Sequence, residues 1–157
     1  MILDIGCGED KKGDVGVDIR KISSIDILAD ARMLPLRDAA FEHVYSSHLI
    51  EHFSHREVRS VLVEWVRVLR KHGTIEIRCP ELRARAFLFF INPTWKNMKD
   101  IYGAQDYIGN NHRCGFSLGL LKHLLESCGI GDVKRIIRGY KGIPFLPDSL
   151  HVKGVKR

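Results

Sequence analysis

Ile2-Leu3-Asp4-Ile5-Gly6-Cys7-Gly8 opens the chain as a short apolar run that passes straight into a glycine-flanked turn. Asp14-Val15-Gly16-Val17-Asp18 follows as a second apolar run ending in an acid. Such runs read as buried strands, and glycines at the turn let backbone approach a ligand closely. An acid closing the next strand suits the two hydroxyls of a ribose, because a carboxylate accepts from both. The stretch therefore predicts a nucleotide-type cofactor. It also poses an architectural problem, since only residues 9–13 separate the turn from the second run. A helical crossover between parallel strands takes about ten residues or more.

The bulk composition predicts one domain over residues 1–157, with 45% hydrophobic and 28% charged residues. A net charge of +6 favours an anionic partner without identifying nucleic acid. No apolar run approaches the roughly 18 residues of a membrane helix, and the N-terminus lacks the basic start of a signal peptide. No membrane partner is expected. Cys7, Cys79, Cys114 and Cys128 form no C-x-x-C pair. They read as free thiols in a reducing compartment, which places the protein in the cytoplasm.

Further apolar runs at 25–28 and 41–46 continue the strand pattern. Ser54 and Glu57 form an S-x-x-E capping box ahead of Val58, Val61, Leu62, Trp65, Val66 and Leu69 at helical spacing, with Gly73 as the stop. A strand at 74–79 ends at Pro80. Residues 81–116 mix arginines, aromatics and turn signals, and predict one or two short helices plus loops, a substrate-facing lid. Ser117 caps a second long helix ending at Gly129, and strands are expected at 133–138 and 150–155. Strands alternating with helices predict an α/β fold around a mostly parallel sheet.

Five pieces in this order resemble the class I, Rossmann-like, S-adenosylmethionine (SAM)-dependent methyltransferases. They are Leu3-Asp4-Ile5-Gly6-Cys7-Gly8, Gly16-Val17-Asp18-Ile19, Ala29-Asp30-Ala31, Ser46-Ser47-His48-Leu49-Ile50-Glu51-His52, and Glu64-Trp65-Val66-Arg67-Val68-Leu69-Arg70-Lys71-His72-Gly73. Tyr102-Gly103-Ala104-Gln105 and His112-Arg113-Cys114-Gly115-Phe116 extend the likeness to a compact subgroup with a shortened first connection. The resemblance implies a doubly wound methyltransferase sheet, with the helix after the first strand missing or reduced. It implies SAM as cofactor and S-adenosylhomocysteine as product. Asp4, Gly6, Cys7 and Gly8 would then border the methionine part. Asp18 and Ile19 would border the ribose, Asp30 and Ala31 the adenine, and Ser46, Ser47 and His48 the sulfonium. Where the missing helix would hold the SAM carboxylate, a turn assisted by Lys11 or Lys12 is expected instead.

Methyl transfer from a sulfonium leans on positioning, and a base is needed only when the acceptor must lose a proton. His112 is the preferred catalytic candidate, with His48, Glu51 and His52 beside it. His48 and His52 stand four apart, a spacing that also suits a metal. No third ligand is evident and the H-E-x-x-H order is absent, so no metal is expected. Cys7 reads as a small residue tolerated in the turn, and Phe87-Leu88-Phe89-Phe90 reads as core. Arg83 and Arg85 suit an anion or a solvated face equally.

A small-molecule or glycan acceptor is favoured over RNA or protein, because no nucleic-acid-binding module or Asn/Asp-Pro-Pro signature is present. The basic residues Arg135, Arg138, Lys141, Lys153, Lys156 and Arg157 suit an anionic acceptor. The alternative is a SAM-binding subunit, non-catalytic or dependent on a partner, and a homo-oligomer is also open.

Overall fold

Strands β1 (Ile2–Ile5) and β2 (Val15–Asp18) lie side by side and parallel, with Leu3 opposite Val15 and Ile5 opposite Val17. The computed structural model describes residues 1–136 and 149–157. Outside β1 and β2 the described strands are β3 (Ile27–Leu28), β4 (Phe41–Ser47), β5 (Leu69–Pro80), β6 (Ile130–Arg135) and β7 (Ser149–Lys156). They form one sheet in the order β3-β2-β1-β4-β5-β7-β6. Every pairing from β3 to β5 is parallel, while β7 runs antiparallel to both β5 and β6. The architecture is the expected α/β fold with a mostly parallel sheet. Of the residues expected in the last two strands, 137 and 138 lie outside the described range.

The return from β1 to β2 contains no helix, and close approach takes its place. A Cβ on Gly13 would sit 2.9 Å from the Ile2 carbonyl oxygen and 3.0 Å from the Asp4 nitrogen. One on Gly16 would lie 2.8 Å from the Cys7 sulfur. The loop thus lies directly against β1. Its polar backbone finds partners there: Lys12 N–H donates to the buried Asp4 carboxylate at 2.6 Å, and Ile2 N–H donates to Asp14 at 2.8 Å. Asp4 and Asp14 thus supply the partners that a helix would supply internally.

Helix α1 (Val58–Arg67) buries Val58, Val61, Leu62, Trp65 and Val66. Each buried side chain of this size is worth about 1.5–3 kcal/mol. The Trp65 indole N–H donates to the Ala31 carbonyl at 3.0 Å. Glu64 accepts from Leu34 N–H at 2.7 Å, and Arg67 donates to the Leu34 and Leu36 carbonyls. The Glu64 and Arg67 of the fifth sequence piece therefore clamp the helix to the segment after β3. Helices α2 (Leu82–Ile91) and α3 (Trp95–Tyr102) pack on each other, and α4 (Leu118–Ser127) covers β6 and β7. Ser117 caps α4 through its hydroxyl, as expected.

Three expectations are corrected. The first long helix stops at Arg67, because the fully buried Leu69 opens β5 opposite Phe41. Strand pairing outweighs the helical spacing there, and the left-handed turn falls on His72 at φ 62° rather than on Gly73. The capping box forms only by half. The Glu57 carboxylate accepts from Ser54 N–H at 3.0 Å and from the Ser54 hydroxyl at 2.6 Å, ahead of a helix that begins at Val58. The Phe87–Phe90 run is not core, since Phe87 is 46% and Phe90 82% exposed. Among the described residues no helix is long and apolar enough to cross a membrane, and all four cysteines are free thiols.

Gly13→Ala should lower the urea midpoint by an amount equivalent to roughly 1–3 kcal/mol, because backbone atoms occupy the Cβ position. A variant as stable as the parent would contradict the close-packed return. Glu57 also accepts from Arg32 and Arg113, each at 3.2 Å. The Ser54 hydroxyl and N–H, then these arginines, hold its pKa down at about 2 against an ordinary 4.5. A depressed folded pKa gives stabilisation that is complete above 4.5 and lost as pH falls toward 2. Glu57→Gln should therefore lower Tm at neutral pH, with the deficit shrinking across that window. A deficit unchanged between neutral pH and pH 2 would rule this out.

Candidate active site

The parallel strands β1 to β4 bring their carboxyl ends to one edge of the sheet, which is where open α/β sheets bind ligands. The turn after β1 has Gly6 at φ 71° and Gly8 at φ 56°, left-handed conformations that favour glycine. Its N–H groups are already engaged. Gly6 and Cys7 donate to the Val17 carbonyl at 2.7 and 3.2 Å, and Gly8 donates to Asp18 at 3.0 Å. The Gly8 carbonyl is engaged as well, accepting from the Ser24 hydroxyl at 2.6 Å. Cys7 is buried beneath the turn, and burial, with Asp4 and Asp18 nearby, pushes its thiol pKa up. That environment suits a packing residue and not a nucleophile.

Asp18 is 7% exposed. Burial raises its pKa, but the Arg20 guanidinium and the N–H groups of Arg20 and Gly8 outweigh burial and hold it below the usual range. Arg20 donates to it through backbone N–H at 2.9 Å and side-chain Nε at 3.2 Å, and stacks over the Tyr107 ring at 5.4 Å. Arg20 thus lies over the carboxylate expected to hold a ribose. Asp30 is likewise engaged: Arg32 reaches both its oxygens, at 3.0 and 2.6 Å. Ala31 is buried, and its carbonyl accepts from Trp65. Ile19 and Met33 are 67% and 78% exposed on either side of these acids.

The other expected cofactor residues divide. Asp4 supports the return loop, and burial pushes its carboxyl pKa up while the N–H groups of Lys12 and Gly13 pull it down. Ser46 is buried and donates to the Ile5 carbonyl at 2.9 Å, so it joins β4 to β1. Ser47, the last residue of β4, is half-buried. Lys11 and Lys12 pair with Asp26 and Asp10 at 2.9 and 2.6 Å, so the lysines expected to assist a SAM carboxylate are held by acids.

Beyond β4 the backbone turns at His48, whose φ of 53° is rare for a non-glycine residue and typical of functional positions. The 3₁₀ turn Ile50–His52 follows. Its Glu51 carbonyl accepts from Arg113 N–H at 2.8 Å and Cys114 N–H at 3.1 Å. Those two bonds fasten the end of the 81–116 segment to the end of β4 and bring His112 against His52, with ring centroids 5.2 Å apart and nearly perpendicular. All four catalytic candidates, His48, Glu51, His52 and His112, line one cavity of about 640 Å³. Burial lowers the His112 pKa, which keeps the ring neutral at ordinary pH.

Trp95, one of the aromatics of the expected lid, lines the same cavity, whereas sequence reasoning missed Lys96, Lys99 and Tyr107 there and the covering role of Arg20. Lys96 and Lys99, three apart on α3, carried a helical-face signal. Arg138 and Lys141 of the expected basic C-terminal patch lie outside the described residues.

Residues 7–77 match a family model described as a methyltransferase domain. No curated protein matches the chain. Among solved structures, a SAM-dependent methyltransferase from Archaeoglobus fulgidus is 19% identical with a TM-score of 0.66, over 99% of this chain and 85% of that one. One from Thermotoga maritima is 17% identical with a TM-score of 0.68, over 99% and 82%. The methyltransferase complexed with the Haloferax volcanii Trm112 methyltransferase activator is 16% identical with a TM-score of 0.66, over 98% and 80%.

Lys12→Ala should leave SAM affinity within about twofold, because an exposed ion pair such as Lys12–Asp10 contributes little. A tenfold loss by calorimetry would return this lysine to the cofactor site.

Proposed function

We propose that this class I SAM-dependent methyltransferase delivers its methyl group to a small, anionic acceptor seated in the cavity between the end of β4 and helices α2 and α3. The observation that carries the reading is the gathering of His48, Glu51, His52 and His112 around one cavity beside the cofactor edge. Its volume, about 640 Å³, is that of a small-ligand site rather than of a groove for RNA or a protein segment. Lys96 and Lys99 line it as well and would attract a carboxylate or phosphate, while Arg85 is paired with Asp100 at 2.8 Å.

SAM supplies an electrophilic methyl group on its sulfonium. Asp18 and Ile19 would hold the ribose, with Arg20 moving off the carboxylate. Asp4, Gly6, Cys7 and Gly8 would support the methionine part through the turn. Asp30 and Ala31 would bound the adenine, while Ser46, Ser47 and His48 would frame the passage to the acceptor. The His112 ring has Nδ1 3.1 Å from the Ile101 carbonyl. A carbonyl only accepts, so Nδ1 carries the proton and Nε2 keeps a lone pair. His112 and His48 are then the ring bases available to an acceptor hydroxyl or amine. Residues 81–116 act as a lid over this chemistry within a single 1–157 domain, and the free thiols favour a cytoplasmic setting.

A second reading, activity that needs a partner subunit or a second copy, is favoured by one observation. Phe90 and Trp95 of α2 and α3, and Ile108 after them, are 82%, 76% and 104% exposed. Apolar side chains exposed to that degree on one segment mark a contact surface for a partner or a substrate. The Haloferax methyltransferase was solved with an activator.

Incubation with methyl-labelled SAM and fractionated cell extract should place label in the small-molecule fraction, resistant to nuclease and protease. Asp18→Ala should weaken SAM and S-adenosylhomocysteine binding by about tenfold or more, the worth of charge-assisted hydrogen bonds. Label confined to RNA or protein would refute the small acceptor, and undiminished binding would refute the role of Asp18.

A further inference from the structure

Glu51 is the most buried acid at the cavity, its side chain 2% exposed, and neither carboxylate oxygen has a hydrogen-bond partner. His48 Nδ1 lies 3.3 Å from Oε1, outside hydrogen-bonding geometry. A buried carboxylate left without donors calls for a cation. Two imidazoles, those of His52 and His112, stand beside it. His52 Nδ1 is 3.2 Å from the Asn111 carbonyl and His112 Nδ1 is 3.1 Å from the Ile101 carbonyl. Each carbonyl fixes the proton on Nδ1, so each Nε2 lone pair is free. Backbone carbonyls orient metal-binding histidines in this way. One donor atom from each of Glu51, His52 and His112 lies within 4.8 Å of the other two. Donors around a tetrahedral ion stand roughly 3.4 Å apart, so small side-chain movements would close the set.

We propose that Glu51, His52 and His112 bind a divalent first-row transition-metal ion, with its remaining coordination positions open to the cavity. Two imidazoles and one carboxylate suit Zn²⁺, Fe²⁺ or Co²⁺, whereas Mg²⁺ prefers oxygen donors throughout. The third ligand that local spacing lacks comes from the far end of the 81–116 segment, carried in by the bonds of Arg113 and Cys114 to the Glu51 carbonyl. Binding of the ion stands by itself; its use in catalysis rests on the reading of this cavity as the acceptor site. There the ion would take a lone pair of an acceptor hydroxyl and lower its pKa. With its free lone pair on the ion, His112 no longer serves as a base, and the hydroxyl proton passes to His48, whose ring stays outside the ligand set. The oxygen forms a C–O bond to the methyl carbon while the C–S bond breaks, and its electron pair stays on sulfur as S-adenosylhomocysteine leaves.

The test is titration of the chelator-treated full chain with Co²⁺, followed by calorimetry and by the visible absorption of the bound ion. One Co²⁺ should bind per chain, displaceable by Zn²⁺. Glu51→Gln and His112→Asn should each weaken binding by about tenfold or more, with SAM affinity and Tm checking that both variants fold. Absence of Co²⁺ binding in a chain that still binds SAM overturns the metal site and leaves the methyltransferase reading intact. Equal Co²⁺ affinity in the parent, Glu51→Gln and His112→Asn overturns the ligand assignment. Cobalt bound at these residues, with methyl transfer equally fast in the metal-loaded and chelator-treated chain, supports the site and refutes its catalytic use.

Discussion

The backbone between β1 and β2 returns along the sheet without a helix, directly against the strand it has just left. Along that path the peptide groups have no helical partners of their own. Asp4 and Asp14 answer this by accepting from Lys12 and Ile2, and Gly13 and Gly16 leave no side chain in the way. The parallel pairing of Leu3 with Val15 depends on that return, and with it the position of Asp18 beside the Gly6–Gly8 turn. The cofactor edge is built on a close-packed loop rather than on a helix N-terminus.

Two further clamps carry the geometry outward. Glu64, Trp65 and Arg67 fasten α1 to the segment after β3, which fixes Ala31 and the neighbourhood of Asp30. The Glu51 carbonyl fastens residues 113 and 114 to the end of β4, which seats His112 against His52. The first clamp is made by side chains that reach backbone groups, the second by backbone alone. Arg20 holds Asp18 through an exposed side chain at 3.2 Å.

Much of this was legible along the chain. Alternation of apolar runs with turn signals reports strands wherever one stretch contacts its own neighbours, so β1, β2 and β4, and the Ser117 cap, emerged close to their places. The reading failed at Leu69, where helical spacing continued but pairing with Phe41 across the sheet took the residue into β5. It failed at Phe87 and Phe90 because an apolar run says nothing about what covers it. The engaged states of Asp18 and Asp30 were equally hidden, since a following arginine can fold back or point away.

The sequence by itself determined the kind of fold and the residue types that stand at the carboxyl edge of its parallel strands. These follow from local rules, namely side-chain periodicity, glycine conformations and the order of short pieces. Only the tertiary structure decided that His112 meets Glu51 and His52, and that Glu51 is buried without a partner. The reason is physical. A convergence of residues distant along the chain depends on how the sheet and its crossing loops close, and no local spacing encodes that distance.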